Sequence, residues 1–290
     1  MGICPDPGRM RGAVHLERLR CDGEDHGGCQ AGCLIYWKEA WLKRVGSPSK
    51  NVMWNMFCRR ENASLPKFDP PTKPITRSHV EEAAISEVSS ETGAPRYRCQ
   101  VTELLEATEP LAWNDWDQYL RDWLSGNVSL AYMLRIATLR VAAPLVYGRG
   151  FSLRFRFYDV LARMFGEPRW PFHPGRAGKK TPRKTLDLKP GDLVTVKSHA
   201  EILKTVNCGW ANRGLGFAPE MVRYCGGTYR VQTRVEKILD EKSGEMVHMN
   251  HDCIILQNVT CQSECSTNRV FCPRSIYPFW REIWLRRIED

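Results

Sequence analysis

The clearest alternation of apolar and polar positions lies in the last third of the chain. Leu188-Lys-Pro-Gly-Asp-Leu-Val-Thr-Val-Lys-Ser reads as a turn followed by a strand, and Thr228 to Leu239 alternates again. Residues 199–206 suit a short helix. Asp240-Glu-Lys-Ser-Gly carries hairpin-turn residues, and Met246 to Met249 and Cys253 to Val259 supply two more strands. Four or five short strands joined by tight turns predict a small SH3-like β-barrel. Further upstream, Tyr97 to Leu104 is strand-like, and the stretch from Trp113 to Leu124 has helical spacing. Trp116, Leu120, Trp123 and Leu124 then fall on one face. Residues 128–165 read as largely helical, with breaks at Pro144 and near Gly148-Arg-Gly150.

The two ends of the chain repeat one pattern. Trp37-Lys-Glu-Ala-Trp-Leu-Lys-Arg-Val matches Trp280-Arg-Glu-Ile-Trp-Leu-Arg-Arg-Ile, with five of nine positions identical and three more conservative. The offset of 243 residues also aligns Tyr36 with Phe279 and Cys29 with Cys272. Further back the offset slips by three, so that Cys21 meets Cys261, each closing an apolar run that starts at Val14 or Ile254. Each end therefore reads as strand, Cys, loop, Cys and Trp-rich helix. In that helix Cys29, Cys33, Trp37, Trp41 and Val45 would share a core-facing stripe. Glu39 and Glu282 sit one residue off it, where neighbouring Lys and Arg can pair with them.

The predicted fold is α+β: duplicated small SH3-like β-barrel units, each ending in a Trp-rich helix, joined by a helical middle segment. Residues 1–45 form an N-terminal Cys/His module, an incomplete copy of the repeat. Residues 46–96 are a linker, 97–187 a helical, basic middle segment with its own linker, and 188–290 the C-terminal Cys-rich module. The N-terminal copy starts only about 13 residues before its last strand. Its barrel is then completed by other parts of the chain or by a partner, unless the start is truncated.

Composition narrows the class. The chain has 290 residues, 42% of them hydrophobic and 26% charged, with a net charge of +9. These values fit a globular protein with one large or two modest cores. No run reaches 18 apolar residues, which argues against a spanning helix. Met1-Gly-Ile-Cys-Pro-Asp-Pro has no apolar signal region, so the expected location is a reducing cytoplasm. Membrane channels, collagen-like chains and small secreted disulfide scaffolds are excluded. The basic charge is concentrated in residues 135–189, with 13 Lys and Arg against three acidic residues. There Arg154, Arg156 and Arg163 interleave with apolar residues, a pattern that suits an anionic membrane surface, RNA or a solvated face.

Twelve cysteines cluster towards the two ends, and in a reducing compartment such clusters are more often metal ligands or thiols than disulfides. Cys21-Asp-Gly-Glu-Asp-His26-Gly-Gly-Cys29-Gln-Ala-Gly-Cys33 places three thiols and an imidazole within 13 residues, with glycines that let a loop wrap an ion. Cys99 or Cys4 is an alternative to His26 as fourth ligand. Cys225, Cys253, Cys261 and Cys272, with Cys265 spare, are candidates for a closed Cys4 zinc site. Zinc is the expected metal, with iron or an iron–sulfur cluster as the alternative. No hydrolase, P-loop, dinucleotide or zinc-protease motif is present, so no catalytic residue is assigned.

Two resemblances follow from these motifs. Cys21-Asp-Gly followed by His26 is similar to the CDGSH iron–sulfur signature, with one extra residue before His26 and no upstream Cys-x-Cys pair. The joint pattern of Cys21-Asp-Gly, His26-Gly-Gly-Cys-Gln-Ala-Gly-Cys and Trp37-Lys-Glu-Ala-Trp-Leu, with Cys272-Pro-Arg-Ser-Ile-Tyr-Pro-Phe-Trp-Arg-Glu-Ile-Trp, resembles an uncharacterised bacterial Cys-rich family. That resemblance implies additional sequence before the first motif and no particular activity. The expected function is a zinc-binding two-module scaffold or accessory protein with an unknown protein partner. The alternatives are a metalloenzyme with its site at the N-terminal cluster, and a nucleic-acid- or membrane-surface-binding module using residues 135–189.

Overall fold

The computed structural model of the chain describes residues 8–43, 74–88, 93–111, 115–146, 159–160, 171–266 and 269–288, and of 139–146 the backbone. The first half is built from β1 (Gly8–Arg9), β2 (Ala13–Arg20), β3 (Leu34–Lys38), α1 (Arg77–Ala84), β4 (Ile85–Val88), β5 (Pro95–Tyr97), α2 (Leu104–Ala107), β6 (Glu109–Pro110), α3 (Asp117–Leu124) and α4 (Leu130–Val146). The second half adds β7 (Leu193–Val196), α5 (His199–Leu203), β8 (Ala211–Asn212), β9 (Leu215–Gly216), β10 (Thr228–Arg234), β11 (Lys237–Leu239), β12 (Met246–His248), β13 (Ile254–Leu256) and β14 (Leu285–Arg287). The first half contributes the two-stranded antiparallel pairs β1–β6, β2–β3 and β4–β5. The second half contains a four-stranded antiparallel sheet in the order β13-β10-β7-β14, with the pairs β8–β9 and β11–β12 beside it.

The main core belongs to the second half. Alternation along β7 buries Val194 and Val196 completely and leaves Leu193 and Thr195 half-covered. Val231, Ile254, Leu256, Trp280, Trp284 and Leu285 close over them. Ser198 and Glu201 start α5 with a reciprocal capping box, the Glu201 carboxylate taking the Ser198 amide at 3.0 Å. Phe217 stands edge-on to both Trp280 and Trp284, and the Trp284 indole donates to the Thr205 hydroxyl at 3.0 Å.

One carboxylate ties this core together. The Glu282 side chain has no solvent exposure and accepts the backbone amides of Leu186, Asp187 and Leu188 and the guanidinium of Arg234. Asp187 has φ 50°, the left-handed conformation that turns successive amides toward one anion. Burial pushes the Glu282 carboxyl up. The amides of Leu186 and Leu188, Arg234 and the Asp187 amide together outweigh that and hold it below the ordinary range. Its own amide donates to Asp252 at 2.7 Å.

The SH3-like barrels are not found: among the described residues none of the sheets closes into a barrel. The four-stranded sheet is open, and its β13 edge meets the returning chain only through the isolated bridge between Ile254 and Trp280. Pro273 and Pro278 lie on that returning stretch, and each lacks the amide a further strand would need. Among the described residues, the N-terminal unit holds the pair β2–β3 and the short strand β1, which pairs with β6. Neither Trp-rich stretch is an α-helix: each runs from extended chain into a 3-10 turn, Glu39–Trp41 or Glu282–Trp284, and out again in extended form. The spacing i, i+4 suits a strand of period two as well as a helix, and pairing of Val14 with Trp37 selects the strand. Ile254 faces Trp280 in the corresponding way.

The two turns differ in burial. Trp280 and Trp284 are completely buried, whereas Glu39 is exposed and Trp41 is 65% exposed. Helix α3 is also turned from its expected orientation. Trp116 is 73% exposed, and Leu120 and Trp123 are exposed as well, while Gln118 and Asp122 face inward with Leu124. A 2.7 Å ion pair between Asp122 and Arg269 fixes that rotation. Among the described residues no helix is long and apolar enough to cross a membrane. Arg154, Arg156 and Arg163 lie outside the described residues.

Glu282→Ala should lower unfolding stability by about 3–5 kcal/mol, because it strands a guanidinium and three amides in the core. Glu39→Ala, at the matching position of the exposed turn, should change it by less than about 0.5 kcal/mol. Denaturant melts of the two variants check the contrast.

Candidate functional site

The Cys loop connects β2 to β3. The amide of Cys21 donates to Cys33 O at 2.8 Å, which closes the loop at its base just beyond the Arg20–Leu34 pair. Inside, a 3-10 turn covers Glu24–His26, and the amides of His26 and Gly28 both donate to Gly23 O. Gly23 has φ 77°, and a Cβ there would lie 1.9 Å from Cys29 O. The tight approach of the two Cys-bearing ends of the loop depends on that missing side chain.

The loop is held from outside by the second half of the chain. Gln30 acts as an extra rung against β11: its side-chain oxygen accepts the amides of Glu236 (2.6 Å) and Lys237 (3.1 Å), and its own amide donates to Lys237 O. The amide of Leu239 donates to Cys29 Sγ at 3.3 Å. Arg20 stacks over Tyr277 at 3.9 Å and donates to Gly32 O (2.7 Å) and Ser275 O (3.0 Å). On the other side, the Tyr97 amide donates to Gly244 O in the hairpin, and the Tyr97 ring packs against Gly27. Two residues further lies Cys99, in a turn closed by Thr102.

This arrangement brings part of the expected ligand set together. Burial raises the Cys21 thiol, the neighbouring Gly23 backbone opposes the rise, and Asp22, Cys29 and Cys99 add to it. Burial likewise pushes Cys33 up to about 12; Cys29, Glu241 and Cys99 add to this and Arg274 opposes it. Cys21, Cys29, Cys33 and Cys99 are thus electrostatic neighbours, and His26 Nδ1 lies 3.9 Å from Cys21 Sγ. Sulfur with amide donors is the chemistry of a structural zinc ligand. As the side chains stand, no group of three or more His, Cys, Asp or Glu among the described residues is placed to hold a metal ion.

The C-terminal four are dispersed. Cys225 packs against the main core and is pushed up to about 12 by burial alone. Cys253 lies in a separate small cluster with Val235, Ile255 and Tyr277, and burial takes it to about 12 against Arg281 and with Asp252. Cys261 Sγ faces the Ser263 hydroxyl at 3.8 Å. Cys272 sits near Tyr36 and Arg274, on the side of the N-terminal unit. Cys4 lies outside the described residues.

The motif reading overlooked two residues. Gln30, between Cys29 and Cys33, joins the halves. His15 lies against Tyr36 with ring centroids 4.3 Å apart and the rings tilted by 51°, contacts Ile35 O through Nδ1 at 3.1 Å, and has a buried Nε2 with no hydrogen-bond partner among the described residues. Burial lowers its pKa and keeps the ring neutral, so Nε2 presents a lone pair once Nδ1 donates to Ile35 O. Pairing of β2 with β3 sets His15 opposite Tyr36, a register that the sequence pattern alone does not give.

No protein-family model matches the chain, and no curated protein is significantly similar to it in sequence.

Gly23→Ala should expose the loop: Cys21, Cys29 and Cys33 should react faster with a thiol reagent than in the wild type, by about tenfold if the opening costs 1.4 kcal/mol less. Cys225 and Cys253 give a pH dependence. Their folded pKa values lie above the ordinary 9.0, so their contribution to stability is complete below about pH 9 and is lost as the pH rises toward about 12. Thermal melts from pH 8 to 11 should show this fall, and Cys253→Ala should reduce it.

Proposed function

We propose that the chain is a zinc-binding two-module scaffold with one metal site, in the N-terminal Cys loop. What supports it most is the glycine-rich loop that carries Cys21, Cys29 and Cys33, with Cys99 as an electrostatic neighbour and the Leu239 amide donating to the Cys29 sulfur. Crowded thiols resist ionisation, and a divalent cation supplies the charge that four thiolates need. Binding would draw the loop inward from its present spacing, with His26 as the alternative to Cys99. The ion would act structurally, fastening the β2–β3 unit to the β11–β12 hairpin that already contacts it through Gln30. Free thiols of this kind suit a reducing compartment, and the cytoplasm is the location proposed.

Elemental analysis of protein purified without added metal should find close to one zinc per chain. Cys29→Ser should lower both the metal content and the melting temperature, whereas Cys225→Ser should leave the metal content unchanged. Wild-type protein that is free of metal and takes up none from added zinc would overturn the proposal. So would a Cys29→Ser variant with unchanged metal and melting.

A further inference from the structure

The two 3-10 turns share a sequence, caps and a strand contact, yet only one has its tryptophans covered. In the C-terminal turn, Trp280 and Trp284 stand 6.5 Å apart at 84°, and Phe217 enters beside them with its ring 6.3 and 5.4 Å from theirs. The matching pair in the N-terminal turn, Trp37 and Trp41, borders a cavity of about 340 Å³ instead. Met10, Tyr36, Cys99 and Ala107 complete its apolar wall. Beside it the outer edge of β3 already takes an amide in ladder fashion: Gln100 accepts the Tyr36 amide at 2.7 Å and donates to Tyr36 O at 2.9 Å.

We propose that this cavity binds an extended segment of a partner protein through a phenylalanine side chain that enters between Trp37 and Trp41. The other half of the chain supplies the argument for the occupant. There, the same tryptophan pair is covered by a phenylalanine carried on the short stretch Leu215-Gly-Phe-Ala-Pro219, between a two-residue strand and a 3-10 turn. Edge-on aromatic packing of that kind recurs with high area burial and little rotamer cost. The site is independent of the proposed metal, although Cys99 touches both.

The test uses the full chain and a fluorescein-labelled peptide, Gly-Leu-Gly-Phe-Ala-Pro-Glu, copied from residues 214–220. Fluorescence anisotropy should show saturable binding, weakened by about tenfold or more in Trp41→Ala and in a peptide whose Phe is replaced by Ala. Trp41 is mostly solvent-exposed, so the variant should melt like the wild type and keep its metal content. Absence of saturable binding, or equal binding by wild type and Trp41→Ala, would overturn the proposal. Self-association lost in Trp41→Ala, without peptide binding, would also overturn it, since it would assign the cavity to a second copy of the chain.

Discussion

An ionised carboxylate without any solvent contact organises the C-terminal half. Glu282 remains charged inside an apolar core because three consecutive amides and Arg234 replace the water it has lost. The same interaction decides where the chain from Leu186 to Leu188 must run, and hence where β7 starts. Its neighbours depend on it in turn. Asp252 holds the Glu282 amide, and Arg281 spans from Asp252 O to Asn212 O and Arg213 O. The stretch that carries Trp280 and Trp284 is thus held by polar bonds as well as by apolar cover. The matching Glu39 is exposed, and the matching Trp41 stays in solvent.

The N-terminal unit takes its order from elsewhere. Two strands cannot bury enough surface to stand alone, and β2–β3 is steadied by contacts across the whole length of the sequence. Gln30 on β11, Arg20 on Tyr277 and Ser275, and Tyr97 on Gly244 each cross between the halves. A loop of glycines and thiols keeps its shape through this outer frame, without any disulfide among the described cysteines.

Local pattern made several elements legible. The alternating run before Ser198 is β7, the short helix is α5, the turn at Asp240 joins β11 to β12, and the stretch ending at Leu124 is helical. Each of these is determined by neighbours a few residues away. The reading failed where distant partners decide. Trp37 and Trp41 satisfy helical and strand spacing equally, and only pairing with Val14 resolves them. Helix α3 was oriented by its apolar stripe, yet Asp122 turned inward because Arg269 waits there. In the candidate site, the sequence shows that Cys21, Cys29 and Cys33 share one short loop, but not how their side chains are placed, and among the described residues no three such groups stand ready to hold an ion. The scattering of Cys225, Cys253, Cys261 and Cys272 could not be read from it either, since each is placed by a different part of the core.

The contact between Gln30 and the amides of Glu236 and Lys237 bridges more than 200 positions. A ribosome releases the glycine-rich thiol segment more than 200 residues before the hairpin that steadies it. For most of that interval the segment has strands but no frame, and closure of so large a ring is slow compared with local folding. Cys21, Cys29 and Cys33 therefore spend the nascent stage open to oxidants and soft metals, and the order in which the chain emerges determines when they become sheltered.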